Sequence, residues 1–234
     1  MYCPGNKILK YSKAIDLKKC EKITLKTENV DPETLVGLIQ NISTLGADQL
    51  PAIFRHWQQR IMGEGDNLMD FIRYFSDPEK ERQFETLTST GEEGAPVKMF
   101  AATHQNVINA LTYTAEYFDV DGAKELQAED ILQRGKFSVI DVVSKGGFGF
   151  GSVLLRDLLD KIYEENSKKD KDERVPVLII IDEVHEFYGS ARSREALQVL
   201  DLICRKGRSL KIGVIFASQN PEDMPSGISK VVNS

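Results

Sequence analysis

The sequence predicts an α/β fold: a mostly parallel sheet flanked by helices, preceded by a helical region in the first half. Three observations predict it. Residues 175–188, "VPVLIIIDEVHEFY", hold a continuous aliphatic run from Val177 to Ile181 that stops on acids. Residues 211–219, "KIGVIFASQ", repeat the pattern and stop on Ser218 and Gln219. Helical periodicity separates such runs, and strand–helix–strand alternation is the mark of parallel sheets.

The elements follow in chain order. "KITLKT" (22–27) alternates and reads as a strand. Asp31-Pro32 opens a helix, with Asp as cap and Pro in the first turn. Leu35, Leu38, Ile39 and Ile42 recur at helical spacing, and helices are expected over 48–62, 68–75 and 97–118. "STGEEGAP" (89–96) reads as a loop, and Trp57 as a core residue. The second half predicts a strand at 136–143, an amphipathic helix at 152–166 and a charged surface connection at 167–174. The aliphatic strand follows, then a helix over 193–207 closed by Gly207, then the strand over 211–219. Three parts result: a basic N-terminal segment with a strand (1–29), a helical region (30–118) and an α/β core (119–234).

The run at 177–181 is far short of the ~20 apolar residues of a membrane span. It shows no polar alternation, so it reads as a central strand covered on both faces. In open parallel sheets, ligands bind at the carboxyl ends of the strands. Asp182 and Glu183 stand there. A strand ending in Asp-Glu is the Walker B pattern, in which the Asp holds Mg²⁺ and the Glu polarises the attacking water. The plain alternative is a strand that exits into solvent through acids. Gln219, one crossover later, can touch a γ-phosphate or its attacking water; alone it would read as the start of a loop.

Composition sets further bounds. The chain has 234 residues, 41% hydrophobic and 28% charged, an ordinary globular make-up. There is no signal peptide, membrane run or low-complexity tract. Cys3, Cys20 and Cys204 are widely spaced and odd in number, which fits a reducing, cytoplasmic setting and argues against a zinc site. The net charge of −6 excludes a protein that coats nucleic acid non-specifically. Basic residues are local: seven lysines within residues 1–26, and Arg205, Lys206, Arg208 and Lys211 within "CRKGRSLK".

The segments "LQRGKFSVIDVV", "VPVLIIIDEVHEF" and "LICRKGRSLKIGVIFASQNPEDMPSGISKVVN", within residues 130–233, resemble the HerA/FtsK-like branch of RecA-type P-loop ATPases. The match is nearest to HerA-like proteins. The resemblance implies a RecA-like P-loop fold and an ATP-driven DNA translocase or helicase built as a hexameric ring. It implies Mg²⁺ and ATP, with Asp182 on the metal, Glu183 as catalytic base and Gln219 as γ-phosphate sensor. Arg205 and Arg208 resemble the place from which such rings supply an arginine finger to the neighbouring subunit, and Arg208 is preferred. Both arginines also read as solvated charge at a helix C-terminus. A NurA-like nuclease is the effector that the family analogy implies; no membrane is implied.

One departure is large. No G-x-x-x-x-G-K-[ST] occurs in the 234 residues. "GGFGFGS" (146–152) has the glycine spacing, but Ser152 stands where the lysine belongs, so the stretch reads as a strand-to-helix connection. The P-loop strand is therefore expected to be missing, as in a fragment or a degenerate paralogue, and isolated ATPase activity is not expected. The strand over 212–217 should then lack a neighbour and pair with residues 1–20 or with a second copy. Two other readings stand beside the motor. One is a non-catalytic assembly subunit of P-loop fold that has lost nucleotide binding. The other is a fragment of a DExH-box helicase, from "DEVH", with His185 as a loop residue near the site.

Overall fold

The structure is a computed structural model that describes residues 1–5, 20–39, 42–142, 149–184 and 194–219. It is a mixed α/β protein whose strands pair largely in parallel and are flanked by helices. The chain divides into two compact units, residues 4–125 and residues 126–234 with 1–3.

In the first unit, β2 (Glu21–Thr24) pairs in parallel with β5 (Lys124–Glu125), with Ile23 opposite Lys124. The expected strand stops early because its ladder with β5 has two rungs; Leu25 adds a single bridge to Phe118. Helix α1 (Pro32–Leu38) starts as predicted. Asp31 caps it by accepting from the Thr34 N–H at 2.9 Å, and Pro32 occupies its first turn. Helix α2 (Thr44–Arg60) begins four residues before the predicted start because Ser43 caps it. Helix α3 (Leu68–Ser76) carries a capping box between Asn67 and Asp70.

The unit's core is aromatic. Phe54, Trp57, Phe71, Phe75 and Phe84 are buried and meet edge-on or stacked, with Phe54–Phe71 centroids 4.9 Å apart and Phe75–Phe84 4.7 Å apart. Trp57 is core, as the sequence indicated. His104 joins the cluster and bonds the Phe75 carbonyl at 2.7 Å. Arg55 is also buried. It pairs with Glu33 and donates to the Leu87 carbonyl at 3.1 Å.

The predicted loop at 89–96 is a loop, the tip of a hairpin formed by β3 (Gln83–Phe84) and β4 (Val97–Lys98), with one further bridge between Leu87 and Glu93. One correction applies to this unit. The helix expected from 97 is α4 (Ala101–Thr114), since Val97 and Lys98 are spent on that hairpin, and it ends in a 3-10 turn at Ala115–Tyr117.

In the second unit, the strand expected at 136–143 is a single rung. Tyr2, in the short strand β1 (Tyr2–Pro4), donates to the Val139 carbonyl and accepts from the Asp141 N–H, each at 2.8 Å. A strand is defined by its ladder, and Tyr2 bridging Ile140 is the one rung present among the described residues. A short helix, α5 (Ala128–Ile131), precedes it. Helix α6 (Gly149–Lys168) starts before the predicted residue 152, so Gly149 to Ser152 lie within a helix rather than in a connection. It buries Val153, Leu154, Leu158, Leu159 and Ile162.

Strand β6 (Val177–Ile181) pairs in parallel with β7 (Ile212–Phe216) from Val177↔Ile212 to Ile181↔Phe216. Helix α7 (Arg194–Leu210) connects them, turning Leu200, Ile203, Gly207 and Leu210 inward at helical spacing. Three expectations fail here. The first is burial of β6 on both faces: Leu178 and Ile180 are 60% and 61% exposed, so packing covers one face. The second is Gly207 as the helix stop. The helix runs on to Leu210, and Gly207 sits inside it because a Cβ there would lie 2.5 Å from the Ile212 carbonyl oxygen. The stop falls on Lys211, with φ 58°, which lets β7 begin at once. The third is the pairing of residues 212–217. Among the described residues their backbone partners come from the internal strand β6; residues 6–19 lie outside the described residues.

Candidate functional site

The parallel register fixes what stands together at the carboxyl ends of β6 and β7. The ladder continues beyond both strands: the Ala217 N–H donates to the Ile181 carbonyl at 2.9 Å, and the Val184 N–H donates to the Ala217 carbonyl at 3.2 Å. Asp182 and Glu183 therefore emerge beside Ser218 and Gln219. The side chains meet. Gln219 Nε2 donates to Glu183 Oε1 at 2.7 Å, linking residues 36 apart in sequence.

The backbone at the acids is unusual. Glu183 has φ 49°, in the left-handed region that disfavours a side chain with a Cβ. Asp182 compensates locally, its Oδ1 accepting from the Glu183 N–H at 3.0 Å. Val184 behind them is fully buried and anchors the turn. Asp182 and Gln219 are exposed and Glu183 is half-buried. Among the described residues, Asp182 Oδ2 has no protein partner, which leaves a hard oxygen donor facing solvent. That donor suits Mg²⁺, which typically takes one or two carboxylates and keeps several waters. No group of three or more His, Cys, Asp or Glu residues suited to a metal occurs among the described residues, so no all-protein cage is built there.

Arg205 and Arg208 lie elsewhere. They sit in the last turns of α7, at the end of the sheet where β7 begins. The five residues of β7 span about 16 Å at ~3.3 Å each, so Arg208, close to the start of β7, stands well over about 10 Å from the acids of its own chain. Arg205 is held by Asp201, Nε to Oδ2 at 2.8 Å, and that hydrogen bond raises the guanidinium pKa further. Arg208 is exposed and has no ion-pair partner among the described residues. Cys204 beside them is raised by burial and by Asp201.

The sequence reading missed a polar clamp at this same end. Asn166 is completely buried, and its Nδ2 donates to the carbonyls of Val175 and Leu210 at 3.1 Å each. Arg174 donates from Nε to the carbonyls of Asn166 at 2.9 Å and Lys169 at 3.0 Å, and from Nη1 to Ser209 at 2.8 Å. These groups satisfy the open carbonyls where α6 and α7 end. A polar Asn in the last apolar turn of an amphipathic helix was the available signal. His185, Glu186 and the first part of "GGFGFGS" lie outside the described residues.

No helix among the described residues is long and apolar enough to cross a membrane. The chain matches no established family profile. Curated proteins do resemble it. It is 24% identical over 265 residues to the DNA double-strand break repair helicase HerA of Pyrococcus furiosus, covering 94% of this chain and 46% of that protein. It is also 24% identical over 149 residues to the protein of the same name from Sulfolobus acidocaldarius, covering 62% of this chain and 30% of that protein. The chain thus spans about half the length of the first relative and less of the second. By these matches the chain resembles, at a distant level of identity, two proteins named HerA, over 94% of its length in one case and 62% in the other.

Proposed function

We propose that this chain carries the Walker B and sensor part of a HerA-like, DNA-processing ATPase. One observation supports the reading most: the contact between Glu183 and Gln219 beside Asp182, at the carboxyl ends of adjacent parallel strands. In this reading, Asp182 holds Mg²⁺ through its open oxygen. Glu183 polarises the attacking water, and Gln219 senses the γ-phosphate. Bound Mg²⁺ supplies charge neutralisation on the phosphate oxygens. The chain's own residues orient the water and the metal but offer no lysine loop, so the main counter-charge for the β- and γ-phosphates must come from elsewhere.

Arg208 acts in this proposal across a subunit boundary, within a homo-oligomeric ring that engages DNA. Its own site is a strand length away, and its guanidinium is unpaired among the described residues. A planar guanidinium supplied in trans neutralises charge that develops on the transferred phosphoryl group. A nuclease effector of the NurA kind belongs to the same proposal.

A second reading is favoured by the missing lysine loop: a P-loop-fold assembly subunit that has lost nucleotide binding. The experiment that separates them uses the assembly that supplies the phosphate loop. Glu183→Gln should bind ATP and fail to turn it over, while Asp182→Asn should weaken Mg²⁺-ATP binding itself. Normal binding and hydrolysis in both variants would make this strand end structural.

A further inference from the structure

Helix α4 has two faces of different character. Val107, Ala110, Leu111 and Thr114 turn inward, on the side that packs against α2 and α3. Ala101, Ala102, Gln105, Asn109, Thr112 and Tyr113 are exposed. At ~100° per residue they fall in one stripe about 120° wide. That stripe carries no charge. From Ala101 to Thr114 the helix holds no Asp, Glu, Lys or Arg, whereas α2, α3, α6 and α7 each carry both acids and bases. A solvated helix face ordinarily displays charge. Helix α6 does so, with Lys161 bound to Asp157 and Lys169 to Glu165 along its surface. A face depleted of charge and flanked by exposed aromatic residues has the make-up of a contact. Tyr113 is 80% exposed near one end of α4, and Phe100, 73% exposed, stands at the other.

We propose that the outer face of α4 is an interface with a second copy of this chain, the two helices packing antiparallel about a two-fold axis. The contact stands apart from the strand-end site and from the role of Arg208. Charge and symmetry together identify the occupant. Interfaces match potential with potential, so a neutral stripe fits a neutral stripe, and a second copy supplies one. Near a two-fold axis a residue also meets its own copy, where any charge would face a like charge. The middle of the stripe instead holds two amides, Gln105 and Asn109, with Gln105 Nε2 donating to Asn109 Oδ1 at 3.0 Å. Each amide keeps further donors and acceptors for its counterpart on the other helix. Antiparallel packing also brings the Phe100 end of each helix to the Tyr113 end of the other, ends that lie about 20 Å apart at ~1.5 Å per residue. The surface is small. Two aromatic side chains offer about 300–400 Å² of the ~800 Å² that a standard interface takes from each partner. Self-association with a Kd on the order of 10 µM is therefore expected.

The test is sedimentation equilibrium of the full chain over about two decades of concentration around that value. The unaltered chain should dimerise. Gln105→Lys and Asn109→Glu each set like charges about 6 Å apart along the packed helices, and each alone should weaken association about tenfold or more. Mixed in equal amounts, the two variant chains place a cation against an anion, and association should return to within about threefold of the original. Both positions are exposed, and recovery on mixing shows that neither variant has failed to fold. An unaltered chain that stays monomeric across the range overturns the proposal. So does association that either variant leaves unchanged, or that mixing fails to restore.

Discussion

Ile180 and Ile215 face each other as register partners on β6 and β7, and both project into solvent, 61% and 46% exposed. Ile181, one residue on and on the opposite face, is buried. Adjacent residues of one apolar run therefore differ sharply in what they contribute. Ile180→Thr and Ile215→Thr should each change stability by no more than about 0.5 kcal/mol, the range of ordinary surface changes. Ile181→Ala should cost about 2–4 kcal/mol through lost burial and a cavity. Urea unfolding of the three variants checks this. Equal, large losses would mean that the outer face is covered in solution.

Gly207 supplies a sharper contrast. On an exposed helix Gly→Ala gains roughly 1 kcal/mol from helix propensity. Here the added methyl would meet the Ile212 carbonyl oxygen at 2.5 Å, and backbone does not step aside. Gly207→Ala should therefore destabilise by about 1–3 kcal/mol, as overpacking does, with the α7–β7 junction losing amide-exchange protection first. A stabilised variant would show that the helix and strand are further apart than this.

The same glycine marks how far the sequence was legible. Hydrophobic runs and caps reveal where elements lie, because both are local; Asp31-Pro32 and the runs at 177–181 and 212–216 were read correctly for that reason. Gly207 was taken for a helix stop because its reason for being glycine, the carbonyl of Ile212, is a tertiary contact. Burial of β6 was overestimated on the same grounds: a run shows that a strand is apolar, not how many neighbours cover it. The site was legible as two strand ends. Parallel pairing then sets Glu183 against Gln219, a contact that follows from register and not from either motif. For the clamp of Asn166 and Arg174 the sequence offered only a polar Asn in an apolar turn, since its acceptors are backbone carbonyls of three separate segments.

The missing lysine loop sets an expectation for the isolated chain. With Mg²⁺, ATP and DNA present, phosphate release should match that of the Glu183→Gln variant. The acids alone cannot compensate for the absent counter-charge on the β- and γ-phosphates. A turnover of about one per second, lost on Glu183→Gln, would show that another part of this chain binds the phosphates.

The separation of Arg208 from the acids leads to a mixing experiment in the assembled protein. Arg208 lies at the start of β7 and Glu183 beyond the end of β6, so one chain cannot bring them together. If Arg208 serves a neighbour, Glu183→Gln and Arg208→Ala damage different halves of each interface. Each variant alone should be inactive. Random mixed assemblies contain some interfaces in which an intact Glu183 meets an intact Arg208, about a quarter of the total when the heterologous contacts form from equal amounts. ATP hydrolysis should recover in that proportion. Arg205→Ala should complement poorly or be needless, because Asp201 already holds that guanidinium at 2.8 Å. No recovery on mixing, with both variants assembled and binding nucleotide, would place the role of Arg208 within its own chain and break the proposed trans arrangement.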